Sequence, residues 1–269
     1  MHGAGNDFVL LDGISQRLQL RPRDIRRIAD RRRGVGCDQV LVAEAPARPD
    51  VDFRYRIFNA DGGEARQCGN GARCFARFVR RRKLTGLTVM RVETCGDLLT
   101  LELRDNQQVD VTLGCPRFAP GEIPLRRAQS APQYDLRIAG ETLRIGALSV
   151  GNPHAVLRVE AIDDDLVERL GPAIEAHEDF PQGVNAGFLR LVDRAHVKLR
   201  VYERGVGETP ACGSGACAAV VHGRRMGWLD ERVSVELPGG KLVVSWAGEG
   251  QPIHLSGPTA ISFEGALEL

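Results

Sequence analysis

Residues 55–72, YRIFNADGGEARQCGNGA, and residues 199–216, LRVYERGVGETPACGSGA, align without a gap at an offset of 144. The matched positions are Arg56/Arg200, Gly63/Gly207, Glu64/Glu208, Cys68/Cys212, Gly69/Gly213, Gly71/Gly215 and Ala72/Ala216. Seven identities in eighteen positions exceed what composition supplies. A fainter echo joins GNDFVLL (5–11) to GNPHAVL (151–157). A chain repeated in this way folds as two like halves, here of roughly 120–145 residues each. Two unrelated strand-to-helix turns are the alternative. The Gly- and Pro-rich stretch 114–124 is the expected boundary.

Period-two apolar patterns predict half-buried strands at 51–59, 88–95, 98–105, 108–114, 196–203, 232–240 and 241–248. PGG before Lys241 signals a hairpin. Helical spacing is rarer. One helix is expected over 21–34, with Pro22 near its start and Gly34 as its stop. The others begin at the repeated cysteines and run toward Gly86 and Gly227. The second of these is apolar nearly all round, which predicts a helix enclosed by sheet.

At 269 residues with a net charge of +1, the chain can bury a real core and carries no electrostatic footprint for nucleic acid. No apolar run is long enough for a membrane span. MHGAGNDF has neither the basic nor the apolar region of a signal peptide. Seven cysteines, an odd number, then predict reduced thiols in a cytoplasm.

A cysteine where a Gly-rich turn opens into a helix meets unpaired N–H groups and the positive end of the helix dipole. Both favour an anion, and both favour the thiolate. Each half would thus supply a basic thiolate beside a cradle for a carboxylate, with Gly69 and Gly213 admitting a ligand close to the backbone. Two such thiols suit inversion of a carbon centre, one taking a proton and the other returning one. A zinc site is disfavoured by the spacing of Cys68/Cys74 and Cys212/Cys217, and a redox dithiol remains open. Cys37, Cys74, Cys95, Cys115 and Cys217 are expected in the core, as are His2, His177, His196, His222 and His254.

Over essentially its whole length the sequence resembles the diaminopimelate epimerases. The likeness is carried by HGAGNDF (2–8), GCDQ (36–39), FNADGGEARQCGNGARCFARF (58–78), GNPHAV (151–156), VNAGF (184–188) and ERGVGETPACGSGA (203–216). The resemblance implies an α+β fold of two pseudo-symmetric lobes, each a curved mixed or antiparallel sheet around a central helix. Residues 1–115, completed by a C-terminal strand at 258–269, would form the lobe carrying Cys68, and residues 116–257 the lobe carrying Cys212. It implies interconversion of L,L- and meso-diaminopimelate without a cofactor or metal, Cys212 taking the proton in the L,L-to-meso direction and Cys68 donating. Backbone N–H groups of Gly69–Asn70 and Gly213–Ser214 would hold the reacting carboxylate. Asn6, Gln39, Asn59, Asn152, Asn185, Glu203 and Arg204 would read the distal amino-acid head, while His154 and Glu203 would tune the thiols. A homodimer is implied, with Phe263 where the family often carries a Tyr at the dimer contact. A proline or hydroxyproline racemase of the same fold, and an amino-acid-binding or redox protein, are the alternatives. A second amino-acid head needs the Asn/Glu/Arg set, which such a racemase does not.

Overall fold

The structure is a computed structural model and describes residues 1–65, 68–96, 98–104 and 108–268. The chain divides into two compact units, one of Met1–Leu113 with Ser256–Leu269 and the other of Gly114–Leu255.

The first unit contains β1 (His2–Gly3), β2 (Asn6–Asp12), α1 (Pro22–Ala29), β3 (Gln39–Glu44), β4 (Phe53–Asn59), α2 (Gly69–Arg81), β5 (Val89–Glu93), β6 (Leu98–Leu103) and β7 (Gln108–Thr112). The strands lie side by side in chain order. β2 pairs parallel with β3 and β4 parallel with β5, while β3–β4 and β5–β6 are antiparallel. A parallel neighbour requires a crossover, and the two crossovers are α1 and α2.

The second unit contains β8 (Tyr134–Ile138), β9 (Glu141–Ser149), β10 (Pro153–Arg158), α3 (Asp164–Glu175), β11 (Asn185–Leu191), β12 (His196–Glu203), β13 (Gly207–Thr209), α4 (Gly213–Arg225), β14 (Arg232–Leu237) and β15 (Gly240–Trp246). The same alternation recurs: β10–β11 parallel across α3, β11–β12 antiparallel, β12–β14 parallel across α4, β14–β15 antiparallel. The duplication read from eighteen positions therefore extends to the order and sense of the strands.

In each unit one helix packs across most strands of the sheet. α2 touches β1, β2, β3, β4, β6 and β7, and α4 touches β9, β10, β11, β12 and β15. Touching so many strands buries most of each helix, although α2 keeps Arg77, Arg80 and Arg81 toward its C-terminal end out of the core. Ala72 to Ala76 and Val79 of α2 are buried, as are Gly213 and Gly215 to Gly223 of α4. The fully buried Gly71 and Gly215 sit where each helix meets the sheet: a Cβ on Gly71 would come 2.3 Å from Tyr55 Oη, and one on Gly215 would come 2.8 Å from Val201 Cγ2. The smaller helices α1 and α3 cover β3 and β11 on the other side. β3 and β11 are thus packed by helices on both faces.

Several expectations are corrected. α1 stops at Ala29, not Gly34, because the Asp30 carboxylate takes the N–H groups of Arg32 and Arg33 and turns the chain. The helix from Cys68 ends at Arg81, where Lys83 adopts a positive φ of 58°. α3 was not expected, since Gly171–Pro172 interrupts its pattern; Asp163 caps it by accepting from Leu166 N at 2.8 Å, and Val167, Leu170 and Ile174 bury one face. The last strand, β16, is Ile253–Pro258 rather than 258–269. Pro258 has no N–H to extend a ladder, and beyond it, among the described residues, the chain forms a bridge between His2 and Ala260 and no further strand. Asp105, the end of one expected strand, lies outside the described residues. Cys37, Cys74 and Cys217 are buried, but Cys95 and Cys115 are exposed in loops. Of the histidines expected inside, His222 is buried, whereas His196 and His254 are exposed on strands, His196 paired with Asp193.

Candidate active site

Both repeated cysteines are N-caps. Cys68 precedes α2 and Cys212 precedes α4, each in extended backbone. The strand, loop and helix that place them are the same in the two units, yet their surroundings differ.

Cys212 is 4% exposed. Its thiol donates to Glu203 Oε2 at 3.2 Å and lies 3.5 Å from Ser214 Oγ. The other carboxylate oxygen, Oε1, accepts from the Thr209 hydroxyl, so Glu203 is held from both sides. Burial pushes the Cys212 thiol well above its usual pKa, and the Glu203 carboxylate adds to the rise. Contacts with Ser214 and the Gly215 N–H act the other way. The helix N-terminus therefore does not by itself make Cys212 a thiolate. Desolvation and a like charge outweigh it.

Cys68 is half-buried. Its sulfur accepts from Gly71 N at 3.4 Å and lies 3.7 Å from Asn6 Oδ1. Asn6 is oriented by Asp38, whose Oδ2 accepts from Asn6 Nδ2 at 2.7 Å, so the amide oxygen is the atom that faces sulfur. Asp38 is held in turn by Arg31, which grips Asp7 with two hydrogen bonds of 2.8 and 2.9 Å and Asp38 with one of 2.8 Å. Asn70 Nδ2 reaches Asn6 Oδ1 at 3.5 Å, and Asn70 Oδ1 accepts from the fully buried Arg73 at 2.9 Å. The residue matching Glu203 in this unit is Asn59, whose Oδ1 accepts from Gln39 Nε2 at 2.8 Å.

The remaining candidates gather around the end of β10, β11 and β12. Asn185 Nδ2 donates to Pro153 O at 2.8 Å while its Oδ1 accepts from Arg204 N at 3.0 Å. The Arg204 guanidinium donates to Gln182 O at 3.0 Å. His154 is buried and hydrogen-bonds Asn152 Oδ1 at 3.1 Å, which requires the Nε2–H tautomer. Burial, with Arg204 adding its charge, lowers the His154 pKa to about 3, so the ring is neutral. The side chains hydrogen-bonded to the Cys212 thiol are Glu203 and Ser214 rather than His154.

Three residues at the site were not singled out from sequence: Thr209, Asp38 and Arg73. Asp38 stands inside the GCDQ motif and offered a signal. Arg73 offered none, since an arginine one turn into a helix is ordinarily solvated. Among the described residues no group of three or more His, Cys, Asp or Glu side chains is arranged to hold a metal ion.

Known proteins share this architecture. A PhzF-family phenazine biosynthesis protein from Bacillus anthracis superposes with a TM-score of 0.66 at 19% identity, over 96% of this chain and 92% of that one. A hydroxyproline epimerase from Agrobacterium vitis gives 0.65 at 17% identity, over 88% and 77%. A probable proline racemase from Agrobacterium radiobacter gives 0.67 at 16%, over 98% and 92%. The likeness defines the class of fold, an α+β protein with the architecture that these three share. The chain belongs to the diaminopimelate epimerase family, whose model matches residues 1–119 and 146–261. Diaminopimelate epimerases from Ectopseudomonas mendocina and Pseudomonas aeruginosa are 53% and 52% identical to it over 269 residues, covering 100% of this chain and 98% of each relative.

Proposed function

We propose that this protein is an isomerase that interconverts L,L- and meso-diaminopimelate by proton transfer at Cα, as a step toward lysine and peptidoglycan precursors. Cys68 and Cys212 are the two acid–base groups. Inversion needs a base on one face of the carbon and an acid on the other. In one direction the Cys212 thiolate takes the Cα proton, breaking C–H and forming S–H, while the Cys68 thiol gives its proton to the opposite face. The reverse reaction exchanges these roles, so no proton is gained or lost overall and no cofactor or metal is needed. Glu203 can receive the Cys212 proton when that thiol must act as a base. The N–H groups at Gly69–Asn70 and Gly213–Ser214 suit the substrate carboxylate and the charge that spreads onto it as Cα loses its proton.

The observation that carries this function is the repetition of a cysteine at the N-cap of α2 and of α4 in a member of the family. Asn6, Gln39, Asn59, Asn152, Asn185, Glu203 and Arg204 are the proposed readers of the distal head, with Arg204 suited to its carboxylate and Glu203 to its ammonium. We also take the two units as the two catalytic lobes and the working protein as a cytoplasmic homodimer. The dimer is supported by Phe263, 66% exposed on the C-terminal segment. Among the described residues no helix is long and apolar enough to cross a membrane.

The test is deuterium incorporation at Cα of L,L-diaminopimelate in D2O under reducing agent, followed by NMR. Wild type should incorporate deuterium and form the meso product, and Cys68→Ala and Cys212→Ala should each lose epimerisation. Absence of exchange in reduced, folded wild type would overturn the assignment and turn attention to proline-type substrates.

A further inference from the structure

We propose that the ion pairs Arg56–Glu64 and Arg200–Glu208 are positioning residues for the two thiols, each fixing the loop that delivers its cysteine to the helix N-terminus. The two pairs are the only charged residues among the seven identities of the repeat; the others are glycines, an alanine and the cysteines themselves. Their geometry is also repeated. Arg56 Nε and Nη2 each meet a Glu64 oxygen at 2.9 Å, and Arg200 Nε and Nη2 meet the Glu208 oxygens at 2.6 and 2.7 Å. These are two-pronged contacts of the geometrically demanding kind, in which both partners are held in one orientation. Each arginine has a further acidic neighbour, and that neighbour differs: Glu44 on β3 at 3.4 Å for Arg56, and Asp164 at the start of α3 at 2.7 Å for Arg200. What the two halves share is the hold on the loop.

In the second unit the path from the pair to the thiol can be followed. Glu208 lies opposite Tyr202 in the short ladder of β12 with β13, which also sets Glu203 opposite Gly207 and Val201 opposite Thr209. That register brings the Thr209 hydroxyl onto Glu203, and Glu203 takes the Cys212 thiol. In the first unit Glu64 lies opposite Phe58 in the same manner, with Asn59 N bonded to Gly63 O and Ala65 N to Ile57 O. Arginine and glutamate stand two positions apart along this ladder, on one face. Letting go of Glu208 frees β13 at its midpoint, and with it Thr209 and the approach to Cys212. A pair this exposed, 20–30% at every side chain, adds little to overall stability. Its repetition beside each cysteine points to placement as its task.

The placement matters to the reaction if Cys68 and Cys212 are the acid–base pair proposed above, because misplacing a reacting group by about 1 Å can cost about 100-fold in rate. The experiment uses the full chain with Arg56→Met, Glu64→Gln, Arg200→Met and Glu208→Gln. It measures kcat, KM, thermal midpoint and, by peptide mass spectrometry, the pH dependence of iodoacetamide labelling at each cysteine. Arg200→Met and Glu208→Gln should change the labelling profile of Cys212 and leave that of Cys68, and the first-unit variants should do the converse. In each, kcat should fall about 10- to 100-fold with KM changing far less. The exchanged pair Arg200→Glu with Glu208→Arg should recover part of the loss. Unchanged labelling at the neighbouring cysteine, equal change at both, or an activity loss that follows the thermal midpoint alone would overturn the proposal. Labelling is read without turnover. A wild type inactive on diaminopimelate would therefore refute the substrate assignment while the labelling still decides the placement.

Discussion

Replacing Glu203 by Gln removes the negative charge beside the Cys212 thiol while keeping size and a hydrogen-bonding end. The carboxylate oxygen lies 3.2 Å from sulfur. At an effective dielectric of about 20, a thiolate and a carboxylate at that distance repel by about 5 kcal/mol. Glu203 is itself half-buried, so solvent reduces the figure, but a third of it already exceeds the 1.4 kcal/mol or so that corresponds to a tenfold shift in an equilibrium. The amide of Gln can also donate to a thiolate, which a carboxylate cannot. Both effects favour deprotonation, so the sign is unambiguous. Iodoacetamide labelling of Cys212 at pH 8 should be at least about tenfold faster in Glu203→Gln than in wild type, with Cys68 as the internal control. Turnover should nevertheless fall, because the group that receives the Cys212 proton has gone. Unchanged or slower labelling of Cys212 would refute the electrostatic account of this thiol.

Two further expectations concern stability. His154 and His222 have pKa values lowered by burial to about 3 and about 4. Each stays neutral in the folded protein while the unfolded chain takes up a proton. Their contribution to stability is therefore present above about pH 6.5 and is lost as pH falls, at up to about 1.4 kcal/mol per pH unit for each. Urea midpoints between pH 6.5 and 5 should drop accordingly, and His154→Gln should make the drop shallower; a slope identical to wild type would count against a buried neutral His154. Separately, Gly215→Ala places a Cβ 2.8 Å from Val201 Cγ2 and 3.3 Å from Cys212 Sγ. Crowding of this kind costs about 1–3 kcal/mol, and denaturant unfolding that shows no loss would mean that the helix can withdraw from the sheet.

What the sequence revealed and what it hid follow from burial. Most strands with one solvated face alternate and were legible, as β4, β7 and β12 show, although β8 alternates too and was not expected. β3, β10 and β11 are buried along nearly their whole length, under helices in the middle of each sheet, so no period of two marks them. α3 was hidden by Gly171–Pro172, although Asp163 was a recognisable cap. At the site the cysteines were legible because they are repeated. Glu203 entered through the family resemblance, and its contact with the thiol is a product of strand register that no local pattern encodes. Thr209 joins it for the same reason, six residues away along the chain and across β12 from β13 in space.

The two halves kept the cysteine, the glycines and the ion pair, and changed what surrounds the sulfur. Glu203 and Thr209 stand where the first unit has Asn59 and Ala65, while the buried Arg73 stands where the second has Cys217. The first unit thus carries a buried cation on α2, hydrogen-bonded to Asn70, and an amide where the second sets a carboxylate. A cation favours the thiolate and a carboxylate favours the thiol. Burial and the Glu203 carboxylate keep the proton on Cys212, so the half-buried Cys68 is expected to be the more accessible and more reactive sulfur. At pH 7 and under reducing agent removed just before labelling, iodoacetamide should modify Cys68 first in the native protein. Arg73→Met, which keeps the length of the side chain and removes its charge, should narrow the difference, and so should Glu203→Gln from the other side. Equal rates in wild type, or faster labelling of Cys212, would show that the substitutions between the halves serve packing or substrate recognition rather than the placement of the proton.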